Sequence, residues 1–124
     1  MEAEMREQPD VLARGAVHYL PKLREALADQ SFDMVAIAAR GSSDNAALYA
    51  RYLIEVHVGI PVCLIAPSVI TRYRASVRYP RCLGVGISQS GAAPDVSEVL
   101  AYLRDHGHAT LAITNTPDSR LATE

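Results

Sequence analysis

The chain has 124 residues, 49% of them hydrophobic and 21% charged, the composition of one globular domain with room for a sizeable core. A formal net charge of -2 excludes the overall basic field that gathers nucleic acid or an anionic membrane, so the expected partner is a small molecule or another protein. No apolar run approaches the ~20 residues that cross a bilayer, and the acidic start MEAEMREQPD is unlike a secretion signal, which together point to a cytoplasmic protein.

In chain order, residues 1–30 read as a helical leader. Leu12, Ala16, Leu20, Leu23 and Leu27 recur at helical spacing, and Pro21 is expected to break or kink that helix. The stripe calls for a partner surface outside the core. A connector at Gln30 to Asp33 opens the globular part, residues 31–124. There, four short apolar runs alternate with helical patterns: MVAIAA (34–39), VCLIA (62–66), LGVGIS (83–88) and ATLAIT (109–114). Each suits a strand buried on both faces, and such alternation is the mark of βα repetition around a parallel sheet.

Ala46 to Val58 carries the first crossover helix, stopped by Gly59 and the pair Ile60-Pro61. Ser68, heading SVITRY, is expected to cap a helix after the second strand. After the third run, Val96, Val99, Leu100 and Leu103 repeat at i, i+3, i+4 and i+7, with Pro94 and Asp95 in the first turn and Gly107 closing the helix. Right-handed crossovers then predict an α/β, flavodoxin-like three-layer sandwich with a parallel sheet in the order 2-1-3-4. Cys63 and Cys82 fall at strand positions, too far apart for a CxxC pair and too few for a disulfide framework; free buried thiols are expected.

Two turns hold most of the chemistry. ARGSSDNAA (39–47) follows the first strand, and GISQSGAAPD (86–95) follows the third. A small, polar turn opening a helix offers backbone N–H groups at the positive end of the helix dipole, a favourable place for phosphate. In the order 2-1-3-4 the first and third strands are neighbours, so both turns end at one crevice. Ser42 and Ser43 from one side and Ser88, Gln89 and Ser90 from the other are the candidate phosphate ligands. Gly41, Gly91, Asn115 and Thr116 are the candidate rim. The competing reading makes each serine only an N-cap, worth ~1 kcal/mol to its helix.

These motifs, with REQPDVL, APSVITRY and AITNTPDSRLA in the same order, resemble the SIS (sugar isomerase) family over nearly the whole chain. The chain looks like the first half of a two-domain SIS protein. It is similar to the isomerising domain of glutamine–fructose-6-phosphate aminotransferases and closer still to the glucosamine-6-phosphate deaminase-like and AgaS-like group, toward which ARGSSD leans. The resemblance implies that Ser43, Ser88, Gln89 and Ser90 bind a sugar phosphate, with Ser42 beside them, and that no cofactor or metal is needed. It also implies a fifth strand and closing helix after SRLATE, and a catalytic Glu, His and Lys beyond Glu124. One departure stands out: where many relatives continue SQSG with Glu-Thr or Arg-Ser, this chain has Ala92 and Ala93, so one hydroxyl contact is missing.

Within the chain, catalytic candidates are poor. The single lysine, Lys22, lies in the leader; Glu55 reads as an i,i+4 partner of Arg51, and His57 as a helix-end cation. His106 and His108 form an HxH pair without a third ligand. No catalytic or metal-binding residue is assigned. RYRASVRYPR (72–81) interleaves arginine and tyrosine, a pattern that stacks on nucleic acid in basic proteins, but the chain's net charge favours an exposed helix or loop at the pocket rim or a subunit contact. Two functions are carried forward: half of an enzyme acting on amino-sugar or ketose phosphates, or a non-catalytic phosphosugar sensor. In either, a homo-oligomer or a second SIS half is the expected partner, with no nucleic acid and no membrane.

Overall fold

The computed structural model describes residues 2–123. The chain divides into two compact units, the first ending at Ser31 and the second starting at Phe32. The first unit is one helix, α1 (Glu2–Leu27), with Pro9 and Pro21 inside it and no buried residue. Of the break or kink expected at Pro21, the break does not occur. Proline's fixed φ is itself helical, so the helix runs on at the loss of a backbone hydrogen bond. Short polar links between successive turns join Arg6 to Glu2 at 2.6 Å and Lys22 Nζ to His18 Nε2 at 3.0 Å.

The second unit contains β1 (Met34–Ala39), α2 (Ser43–His57), β2 (Val62–Ile65), α3 (Pro67–Thr71), β3 (Cys82–Ile87), α4 (Pro94–Asp105), β4 (Ala109–Ile113) and α5 (Arg120–Thr123). The strands form one parallel sheet in the order β2-β1-β3-β4, as the βα alternation predicts. β1 and β3 run side by side from Met34 opposite Cys82 to Ala39 opposite Ile87. Every residue of β3 is buried, as are Val35 to Ala39 of β1, which explains why these two runs carry no polar side chain.

One face of the sheet packs on α3, α4 and α5. Ala36, Ala38, Ile65 and Cys82 meet Ile70, Val96, Val99, Leu100, Leu103 and Leu121 there in a single core. The i, i+3, i+4, i+7 stripe of α4 is thus the inner face of the helix, all four residues being buried. Gly84 and Gly86 let α4 approach β3: a methyl group on either would come within 3 Å of Leu103 or Leu100. The helix ends in a Schellman motif, with Gly107 at φ +83°, Gly107 N donating to the Arg104 carbonyl at 2.9 Å and His108 N to that of Leu103 at 3.0 Å. α2 covers the opposite face, with Ala47 as its buried contact.

One expected detail differs. Ser68 is not a cap: Pro67 takes the first helical position, Ala66 holds the cap site, and the Ser68 carbonyl accepts from Arg72 and Tyr73 N–H. Of the helix or loop expected over residues 72–81, the structure has the loop, folded back onto α4 by Tyr102 Oη donating to the Val77 carbonyl at 3.0 Å and by an Arg74–Glu98 ion pair.

Candidate functional site

Because β1 and β3 are hydrogen-bonded neighbours ending level at Ala39 and Ile87, the turns that follow them leave side by side from the carboxyl edge of the sheet. Ser42 and Ser43 lie in one and Ser88, Gln89 and Ser90 in the other. Ser88 is buried at 7% exposure, Ser43 is half-buried, and Ser42, Gln89 and Ser90 are open to solvent. An ion pair joins the two turns: Arg40 Nη1 donates to Asp95 Oδ2 at 2.6 Å, across 55 residues of sequence.

The first turn winds more tightly than the sequence suggests. Ser43, Asp44 and Asn45 N–H donate to the carbonyls of Arg40, Gly41 and Ser42 at 3.3, 3.1 and 3.2 Å. These i→i+3 bonds pull the start of α2 from the expected Ala46 back to Ser43, with Gly41 at φ +61° before it. Three of the backbone donors expected to face an anion are therefore spent within the turn. Ser42, at the cap position, makes no side-chain capping bond, so its hydroxyl is not committed to the helix.

The second turn is built against the segment after β4. Ser88 N donates to the Ile113 carbonyl at 3.1 Å, Asn115 N and Thr114 Oγ1 donate to the Gln89 carbonyl at 3.1 and 3.3 Å, and Leu121 N donates to the Gly91 carbonyl at 3.2 Å. Asn115 thus lies beside Gln89 as a support; Thr116, exposed, donates its N–H to Thr114 Oγ1. Gly91, at φ +64°, has a need within the fold: a Cβ there would sit 2.0 Å from Ser119 Oγ. The absence of a side chain at this position makes room for Ser119. Gln89 and Ser90 N–H have no partner among the described residues. Ser90 Oγ accepts from Ala92 N at 3.2 Å, which leaves its proton to donate outward. The α4 cap is Ala93, without a side-chain bond, so the serines of this turn are not N-caps either.

Neither Arg40, Thr114 nor Ser119 was singled out from the sequence. Arg40 could have been, as the one basic residue in either turn; the roles of the other two depend on contacts made across the sheet. Glu55 has a structural task, accepting from Arg51 Nε at 3.2 Å and from Val62 N at 3.1 Å. His106 Nδ1 lies 2.7 Å from the Tyr102 carbonyl, and His108 Nδ1 accepts from Cys82 N at 3.5 Å.

Comparison with known proteins gives this geometry a lineage. The chain is 40% identical over 131 aligned residues, 98% of its length, to an isomerising glutamine–fructose-6-phosphate aminotransferase of Xylella fastidiosa. It spans about a fifth, 21%, of that relative. Among solved structures, a protein from Silicibacter pomeroyi assigned as a phosphosugar isomerase superposes with a TM-score of 0.89 at 33% identity, covering 98% of this chain and 38% of the other. A glucosamine-6-phosphate deaminase of Thermotoga maritima follows with a TM-score of 0.67 at 27% identity over 83% of this chain and 33% of its own. Residues 27–124 match the SIS domain, and with the 2-1-3-4 sheet and the paired turns at its carboxyl edge, the chain belongs to the SIS family.

Proposed function

We propose that this chain binds the phosphate of a sugar phosphate between the Ser42-Ser43 turn and the Ser88-Gln89-Ser90 turn, as the first SIS half of an isomerase, aminotransferase or deaminase acting on amino-sugar or ketose phosphates of the fructose 6-phosphate and glucosamine 6-phosphate type. The observation that carries this reading is the emergence of both hydroxyl-rich turns from adjacent parallel strands, where uncommitted hydroxyls and the Gln89 and Ser90 N–H groups can donate to one anion. The relatives are named as enzymes, so the sensing module is not favoured. Residues for proton transfer are expected outside the 124, and a second SIS half or a second copy would cover the apolar faces left open. No helix among the described residues is long and apolar enough to cross a membrane, and a cytoplasmic setting suits a sugar-phosphate ligand.

Calorimetry with fructose 6-phosphate tests the reading. Binding is expected, displaced by inorganic phosphate, and Ser90→Ala should weaken it by ~1 to 3 kcal/mol through loss of a hydroxyl donated to a charged group. Absence of binding at millimolar ligand, or binding that leaves the amide signals of both turns unmoved, overturns it. No interconversion of fructose and glucosamine phosphates is expected from the 124-residue chain; turnover abolished by a substitution within it would refute that part.

A further inference from the structure

Resting on the phosphate-site reading above, a charge count leaves the two turns short of what a phosphate dianion requires. Residues 39–47 and 86–95 contain two acids, Asp44 and Asp95, and one base, Arg40. Much of the backbone cradle is already spent, with Ser43, Asp44, Asn45, Ser88 and Gly91 N–H all bonded to carbonyls and Ala92 N–H to Ser90 Oγ. Ala92 and Ala93 supply no hydroxyl. The one permanent positive charge in either turn is the Arg40 guanidinium.

Its geometry is informative. Asp95, second residue of α4, is anchored at both oxygens: Oδ1 accepts from Val96 N at 3.0 Å and Oδ2 from Arg40 Nη1 at 2.6 Å. Arg40 directly follows the last residue of β1. The carboxylate is therefore the fixed member, held by the start of a helix. A guanidinium has five N–H donors in a rigid fork, and the bond to Asp95 uses one. An exposed ion pair of this kind adds little to stability, so its presence between the two candidate turns needs another account.

We propose that Arg40 is a specificity-determining residue for the phosphoryl dianion, held in place by Asp95 and electrostatically opposed by it. The free edge of the guanidinium fork donates to the phosphate in place of the missing hydroxyl, and Asp95 sets how much of that charge the ligand feels. Arginine suits this double task because its planar fork serves two anions at once, whereas lysine offers a point charge.

The two members of the pair should then have opposite effects. Fructose 6-phosphate affinity, measured by calorimetry on the whole chain, should fall about tenfold to a hundredfold in Arg40→Ala, the range expected for a charge-assisted hydrogen bond. It should rise several-fold in Asp95→Asn, and its dependence on salt should flatten in Arg40→Ala. Arg40→Lys should recover only part of the loss. Thermal melts of the Arg40 variants should stay close to the parent, because the Arg40 side chain is 59% exposed. A plain strap between the turns predicts instead that Arg40→Ala and Asp95→Asn weaken binding alike; that result, or unchanged affinity in Arg40→Ala, overturns this inference while leaving the phosphate site standing. Failure of the unaltered chain to bind fructose 6-phosphate overturns the site and this inference together.

Discussion

Gly91 shows how closely the second turn is fitted to its support. A methyl group there would stand 2.0 Å from Ser119 Oγ and 2.9 Å from Thr114 Oγ1, and the backbone is held at φ +64°. Gly91→Ala should therefore lower stability by ~2 to 4 kcal/mol, combining left-handed strain with overpacking, and should weaken sugar-phosphate binding through the displaced turn. Urea unfolding and calorimetry read the two effects; an unchanged unfolding midpoint would show that Ser119 can step aside. A second residue-scale prediction concerns Cys82, buried at 1% exposure in the α4 core. Burial, with a smaller contribution from the Cys63 thiol, pushes its pKa up to about 11. In the unfolded chain the thiol ionises near its ordinary value, so between about pH 9 and 11 the native state keeps a proton that the unfolded state has lost. Stability linked to Cys82 is thus intact below that window and lost as pH rises through it. Melting temperature should fall over that range in the parent more than in Cys82→Ala at matched pH, and iodoacetamide at pH 8 should label half-buried Cys63 ahead of Cys82.

At the scale of elements, the packing of β3 against α4 governs where the site's second turn ends. β3 reads CLGVGI because glycines at 84 and 86 let Leu103 and Leu100 settle onto the strand. A Cβ on Gly86 would meet Leu100 Cδ1 at 2.8 Å and Leu121 Cδ1 at 3.0 Å. Gly86→Ala should cost ~1 to 3 kcal/mol of overpacking, measured by urea unfolding. It should also lift α4 and with it Asp95, so a change in binding should accompany the change in stability. A stabilised variant would mean that the core has slack the geometry does not suggest.

At the scale of the molecule, apolar surface remains uncovered. α2 exposes Tyr49, Tyr52, Leu53 and Val56 at i, i+3, i+4 and i+7, with Tyr52 65% and Val56 71% exposed. β4, at one edge of the sheet, is only half-buried, and Ile113 is 50% exposed. Within its own unit, α1 exposes Leu12 and Leu20. Rows of exposed apolar side chains and half-buried edge strands are each surfaces that proteins ordinarily cover. Sedimentation velocity at micromolar concentration should show self-association, reduced by Val56→Glu on α2. A monodisperse monomer that unfolds cooperatively would show that these faces need no partner.

The sequence by itself determined the order of elements and the sheet, because strands buried on both faces must be apolar runs and right-handed crossovers leave few ways to arrange four of them. It also located the two serine turns, since small polar residues between a strand and a helix are a local signal. It allowed for a break at Pro21, where the helix runs on, because proline's fixed φ is itself helical. It misplaced the start of α2, because the i→i+3 bonds that draw the helix back to Ser43 depend on the path of the chain leaving β1. What only the tertiary structure decided was how the turns are held: Arg40 on Asp95, and Gly91 over Ser119, join residues 55 and 28 positions apart in the chain. No local pattern encodes such pairs, because they exist only once β1, β3 and the segment after β4 lie side by side.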